Sequence, residues 1–437
     1  MRSWFQAVGY ASLLGTKALG DQSMVERIET AIGGGGQAGF ALSYYLTQEK
    51  RENIVLEQAA QPAEAWRNQR WDSFTLLTPN WSLRLPGAEY HGNYREGFLT
   101  RREVIAYFEQ YVERYRLPVR YATRVISVEQ KSDGAYRVTT NRDEFDAQNV
   151  VLATGLYQTA KIPAYTTNSP PKIKQLHSNA YRNPRALPPG AVLVVGSAQS
   201  GCQIAEELYQ SRRQVYLCVG GAGRVPRRYR GKDTYEWLNL VGFFDRPPNQ
   251  LPSPQAKFAG NPHVSGKDGG HTLNPHKFAR DSVILLRRIQ DARDGKITLA
   301  PDLKENLARA DKFEANLLKM IDDYIAGHGL RAPTEQLPHL SDGYAAPTIT
   351  ELYLKISGIN TIIWALGYRF DFSLARLPVC DSDGHPIQTR GVTQYPGLFF
   401  LGLPWLHKQK SGLLLGVGDD AAHIASKIIE RTKGLSR

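Results

Sequence analysis

Ile32-Gly33-Gly34-Gly35-Gly36-Gln37-Ala38-Gly39 is the stretch that decides the fold. A strand pattern over 29–32 leads into it, and a helical pattern through Ala41, Leu42, Tyr45 and Leu46 leads out. A second strand, Asn53-Ile54-Val55-Leu56, follows and closes on Glu57. Gly34, Gly36 and Gly39 thus stand at G-x-G-x-x-G spacing between strand and helix, with an acid about 20 residues further on, the context that gives this spacing meaning. Each position has a physical task. Gly34 permits the tight turn, Gly36 lets the backbone approach a pyrophosphate, Gly39 lets helix and strand pack, and the helix N-terminus faces the phosphates. Glu57 is placed to accept hydrogen bonds from an adenosine ribose. The competing reading, a glycine-rich loop in a nucleotide-free α/β domain, accounts for the glycines but not for the strand, helix and acid around them.

The unit recurs. Val192-Leu193-Val194-Val195 runs into Gly196-Ser197-Ala198-Gln199-Ser200-Gly201, followed by a helix over 202–210 and a strand over 214–219. Ala198 replaces the middle glycine and adds a methyl where a pyrophosphate would lie. Two such units imply two dinucleotides, and the simplest chemical use of two is hydride transfer between them.

Between the copies, Thr100 and Glu103 form a capping box that opens a helix over 100–115. Stretches 125–129 and 135–140 alternate apolar and polar around Asp133-Gly134, a hairpin signal. The apolar strand 149–155 ends in Ala153-Thr154-Gly155, small enough to pass close to a cofactor. Beyond the second copy, 246–276 reads as a long connection. Short strands follow at 283–286 and 297–299. Leu303, Leu307, Ala310, Phe313, Leu317, Ile321 and Tyr324 then form a helical stripe read as core. Strands return at 361–364, ending Ala365-Leu366-Gly367-Tyr368, and at 397–402; a glycine-rich stretch, 411–418, opens the last helix. The expected fold class is α/β, with two Rossmann-like dinucleotide-binding domains, one inserted in the other. The outer domain is expected over 24–165 and 341–437, and the inner over 166–340, with about 240–340 contributing a substrate pocket.

The 437 residues are 42% hydrophobic and 22% charged, which excludes a disordered, collagen-like or coiled-coil chain. Cys202, Cys218 and Cys380 lie far apart and form no C-x-x-C, which points to a reducing compartment and away from a zinc ribbon or dithiol centre; no metal is expected. Lys and Arg exceed Asp and Glu by 12, but the one dense run, Arg224, Arg227, Arg228, Arg230 and Lys232, is short, so nucleic acid is not an expected partner. No apolar stretch approaches the roughly 20 residues of a membrane span, so no stable membrane insertion is expected. The best attempt, 4–15, only faintly resembles a targeting peptide. Residues 1–23 are read as an extension without a fold of its own, ahead of Met24, and the cytoplasm as the compartment. A homodimer is left open.

Taken in order, these pieces resemble the class B flavin monooxygenases, among them the YUCCA indole-pyruvate monooxygenases and bacterial CzcO-type proteins. The resemblance spans about 28–430 and adds Trp71-Asp72-Ser73-Phe74, Leu85-Pro86, His177-Ser178-Asn179-Ala180-Tyr181, Pro226-Arg227-Arg228-Tyr229-Arg230-Gly231 and Leu403-Pro404-Trp405-Leu406-His407. It implies that the first unit holds FAD through Gly34, Gly36, Gly39 and Glu57, and the second NADPH through Gly196, Ser200 and Gly201. The wider cofactor set it implies comprises Gln37, Ala38, Gln58, Trp66, Arg102, Val125, Ala153, Thr154, Gly155, Ser197, Arg227, Arg228, Gly367, Gly402 and Ser411. The implied activity is NADPH-consuming insertion of one atom of O2 into a small organic substrate by way of a C4a-(hydro)peroxyflavin.

Departures from the family pattern are specific. The signature F-x-G-x-x-x-H-x-x-x-Y keeps His177 and Tyr181, the weak catalytic candidates, but has Pro171 and Ile173 in its first half. Leu77 falls where animal-type enzymes place an Asn. Gly220 falls where an Arg grips the 2′-phosphate, a role the 224–230 cluster is a candidate to take over, with a solvated loop as the other reading. A disulfide reductase needs a cysteine pair this chain lacks. An NAD(P)H oxidase without oxygen transfer and a non-enzymatic nucleotide-sensing subunit remain as alternatives.

Overall fold

The structure is a computed structural model that describes residues 25–164, 172–251, 253–258 and 262–435. The expected extension 1–23 and Pro171 lie outside the described residues. The chain opens with β1 (Glu26–Gly33), α1 (Gln37–Gln48) and β2 (Asn53–Leu56). Helix α2 (Arg101–Tyr115) begins at the expected capping box, with Thr100 and Glu103 bonded reciprocally. Strands β3 (Val119–Arg120), β4 (Val125–Gln130), β5 (Tyr136–Thr140) and β6 (Glu144–Leu152) follow. These strands form one sheet in the order β3-β2-β1-β6-β5-β4. β3, β2, β1 and β6 run parallel, and β4-β5-β6 is an antiparallel meander.

The inner domain contains β7 (Lys174–His177), β8 (Ala191–Val195), α3 (Gln199–Gln210), β9 (Val215–Cys218) and β10 (Ile284–Leu286), then the long helix α4 (Leu303–Gly327) and β11 (Ile359–Trp364). Its sheet is all parallel, in the order β7-β11-β8-β9-β10. The chain then returns to the first sheet as β12 (Leu398–Phe400), parallel to the end of β6, and finishes in α5 (Val417–Leu435). Phe40, Leu42 and Leu46 of α1 share a core with Val417, Ala421 and Ile424 of α5, so the C-terminal helix seals the first unit.

The boundary expected at 340/341 is corrected. β11 is a buried apolar strand with parallel partners on both sides, and it belongs to the inner sheet. The chain returns to the outer domain only after Trp364. An antiparallel pair of Tyr368 with Ala160 and Arg369 with Thr159 marks the crossing.

One contact, made twice, explains why both turns need glycine. A Cβ on Gly34 would sit 2.5 Å from the carbonyl oxygen of Ala153, and one on Gly39 would collide with the Gly34 carbonyl oxygen. In the inner domain Gly196 meets Ala365 at 2.6 Å in the same way, and Gly201 meets Gly196. The strand ends Ala153-Thr154-Gly155 and Ala365-Leu366-Gly367 are therefore equivalent, a relation to the two turns that the sequence alone did not reveal. Substituting Gly201→Ala overpacks the α3–β8 contact and should cost at least about 1–3 kcal/mol, read as a lower denaturant midpoint. Ala198→Gly, at an exposed helix cap, should leave the midpoint unchanged or slightly raised.

Candidate functional site

Both glycine turns lie at the carboxyl ends of parallel strands, where open α/β sheets bind ligands. Gly36 caps α1 with φ −106° and ψ −168°, and a Cβ built there meets nothing within 4 Å. No neighbour among the described residues requires glycine at this position. It is a cradle that a side chain would fill, directly before the free N–H groups of the first helical turn. Ala198 caps α3 in the same conformation, φ −77° and ψ −168°, so the extra methyl is accommodated by the backbone and narrows the cradle instead.

Many expected residues are gathered around the first turn. Glu57 is buried at the end of β2, and its carboxylate accepts the Gly35 N–H at 2.6 Å and the Ala59 N–H at 2.7 Å. Burial raises its pKa, opposed by those hydrogen bonds. Val125 lies 3.7 Å from a Cβ built on Gly33. Gly402 presses on Ala38 so closely that any side chain would collide, and Gln37 Nε2 donates to the Gly412 carbonyl at 2.7 Å. Ser411 is buried beside that contact, and its Oγ accepts the His407 and Lys408 N–H groups. Thr154 Oγ1 accepts from Gln158 at 2.7 Å. Gln58 and Arg102 are exposed, and Arg101, not Arg102, ties α2 to Arg67 and Asp72.

At the second turn Ser197 is buried, and its Oγ accepts the Gly220 N–H at 2.9 Å, fixing the loop after β9. Ser200 is half-buried in the first turn of α3. Gln199, which the sequence reading passed over, exchanges two hydrogen bonds with the Val264 backbone and clips the long connection onto the turn.

The two folds meet through aromatic rings. Tyr157, two residues after Gly155, and Tyr368, next to Gly367, have ring centroids 5.0 Å apart. The Arg70 guanidinium lies over Trp66, Phe74 and Tyr157 at 5.2, 5.6 and 5.1 Å. Trp66 is thus placed in this cluster, beside the strand ends. Arg70 carried no motif that marked it in the sequence.

His177 and Tyr181 act as fasteners in this geometry. His177 Nδ1 accepts the Asn179 N–H at 3.3 Å, so Nε2 carries the proton toward the Gly367 carbonyl at 3.2 Å; burial lowers its pKa and favours this neutral tautomer. Tyr181, fully buried, donates to Glu207 at 2.7 Å, and Ser73 donates to the other oxygen of the same carboxylate at 2.6 Å. Glu207 of α3 therefore clamps both domains, a role no local sequence signal announced.

The arginine cluster is corrected most strongly. Arg224 is buried and paired with Asp311 and Glu314 of α4, and Arg230 reaches Asp322 at 2.8 Å. Arg227 is 2% exposed; its Nε donates to Asp233 at 2.7 Å and its Nη1 to the Leu77 carbonyl at 2.8 Å. In this structure these three guanidiniums are paired with carboxylates of the protein itself. Arg228 is exposed and bonds the Gly269 and Gly270 carbonyls.

Comparison with known proteins agrees with this geometry. Residues 31–238 match the family model described as pyridine nucleotide-disulphide oxidoreductase. A CzcO-like oxidoreductase of Geobacillus kaustophilus is 31% identical over 92% of this chain and 98% of its own length. The probable indole-3-pyruvate monooxygenase YUCCA3 of Arabidopsis thaliana is 27% identical over 69% of this chain and 72% of its own. A flavin-containing monooxygenase from Stenotrophomonas maltophilia shares the fold, with a TM-score of 0.62 and 19% identity over 93% of this chain and all of its own. Fold and relatives together define an enzyme of the class B flavin monooxygenase type. Within that class, the chain belongs to the CzcO-like oxidoreductases. Family and fold support FAD and NADPH as its cofactors. Among the described residues, no helix is long and apolar enough to cross a membrane.

Arg227→Ala would strand Asp233, only 3% exposed in its side chain, without a counter-charge. The loss expected is about 3–5 kcal/mol of stability, measured by urea denaturation. Arg228→Ala, at an exposed position, should fall within about 0.5 kcal/mol of wild type.

Proposed function

We propose that the protein is an FAD-dependent, NADPH-consuming monooxygenase that transfers one oxygen atom of O2 to a small organic substrate. The observation that carries this reading is the duplicated turn: two strand-turn-helix units, each with its glycine contact completed by a small-residue strand end, meet at Tyr157 and Tyr368. The open space over Gly36 fits a pyrophosphate drawn close to the backbone. When bound, FAD supplies oxygen activation and NADPH supplies the electrons.

The chain's own residues have simpler tasks. The first-turn N–H groups of α1 hold the FAD phosphates, with Gln37 and Ala38 fixed by their contacts to 402–412. The Glu57 carboxylate has lone pairs beyond the two its backbone partners use, and these accept the adenosine ribose hydroxyls. Ser197, Ser200 and the N-terminus of α3 hold NADPH, slightly further from the backbone because of the Ala198 methyl. Trp66, Tyr157, Tyr368 and Arg70 exclude water where the two strand ends converge. His177 and Tyr181 keep the domains in register, and no side-chain acid or base is assigned to the chemistry. The outer domain is taken as 25–158 with 370–435, the inner as 172–367, and segment 240–340 as a contributor to the substrate pocket.

A disulfide reductase reading is disfavoured by the cysteines. Cys202 and Cys218 are buried, and burial raises both thiols; Cys380 is pushed up to about 11, also by burial.

Gly36→Val fills the cradle from a Cβ position that meets nothing within 4 Å. Purified protein should keep its wild-type circular dichroism yet lose its yellow colour; retained FAD would contradict the site. For the activity, H2O2 released per NADPH consumed should fall well below one with a true substrate among thioethers, ketones and 2-oxo acids. A ratio that stays at one across such a panel would leave an oxidase.

A further inference from the structure

The inner domain poses a specificity question that its own strand does not answer. β1 pairs Gly33 with Leu56, and β8 pairs Val195 with Cys218, so Val219 stands where Glu57 stands in the outer domain. No carboxylate is present there to accept ribose hydroxyls or to repel a phosphate. Gly220 and Gly221 follow, and a Cβ on Gly220 would meet nothing within 4 Å.

Helix α4 covers this strand end. Asn306 Nδ2 donates to the Val219 carbonyl at 3.0 Å, holding the helix in register with the strand. Three residues on, Arg309 crosses Gly221, with Cδ and Cζ each 3.3 Å from a Cβ built on that glycine and Nη1 closer still. Only a glycine lets the guanidinium lie so near the backbone. Arg309 is exposed, donates to Asn306 Oδ1 at 3.1 Å, and forms no ion pair among the described residues. Arg224, Arg227 and Arg230, by contrast, are all held by carboxylates.

We propose that Arg309 reads the 2′-phosphate of NADPH, so that a helix outside the strand-turn-helix unit sets the cofactor preference. A guanidinium fork matches a phosphate bidentately, and the ribose hydroxyl of NADH offers it no charge. The proposal rests on the reading that the second unit holds the pyridine nucleotide.

The test uses the FAD-loaded protein and two probes, 2′,5′-ADP and 5′-AMP, titrated calorimetrically without turnover. Wild type should prefer 2′,5′-ADP. Arg309→Ala should weaken 2′,5′-ADP by about tenfold or more, the size of a lost charge-assisted contact, while 5′-AMP stays within about twofold. The salt dependence of 2′,5′-ADP binding should flatten in the same variant. Gly220→Asp, which places a carboxylate in open space, should produce the same selective loss with Arg309 intact. Equal weakening of both probes, or none, in Arg309→Ala would overturn the role of Arg309 while leaving the nucleotide site in place. Wild type that prefers 5′-AMP would overturn it as well, and wild type that binds neither probe would overturn the reading of the second unit itself.

Discussion

The structure depends on a backbone contact that admits no side chain: the carbonyl oxygen of the first turn glycine resting on the third. Gly34 against Gly39 and Gly196 against Gly201 bring α1 and α3 onto their strands more closely than any Cβ allows. That approach aims each helix N-terminus at the carboxyl end of its sheet. It also sets a strand end, Ala153 or Ala365, directly against the turn. Two sites of the same design follow from one steric constraint used twice.

Around this frame, charge is spent on holding segments in place. Arg224, Arg230 and Arg227 tie the 224–233 region to α4 or to itself, and Glu207 clamps Tyr181 to Ser73 across the domains. Removing one partner of a buried pair strands the other, so Arg224 and Arg227 report on stability before they report on chemistry. Arg309 and Arg70 differ, since each presents a guanidinium with no carboxylate against it among the described residues, close to a strand end.

What was legible in the sequence was local. The spacing of Gly34, Gly36 and Gly39 and the Thr100–Glu103 box carry their geometry within a few residues, and each stands in the structure as read. What was illegible was non-local. β11 pairs with β8 across more than 150 residues, so nothing near Ile359 reveals that it completes the inner turn. The fate of the arginines was equally hidden, because it depends on which face of α4 carries Asp311, Glu314 and Asp322. Gly220, which falls where the family pattern has an Arg, gave no sign that Arg309 of α4 lies beside the neighbouring Gly221.

The central claim, one dinucleotide at each turn, is tested most directly by an experimental structure of the protein with FAD and NADP+ bound together. The account predicts the FAD pyrophosphate over Gly36 and the NADP+ pyrophosphate over Ala198, with both rings converging near Tyr157 and Tyr368. A single dinucleotide bound at only one turn, or either pyrophosphate away from these two turns, would contradict it.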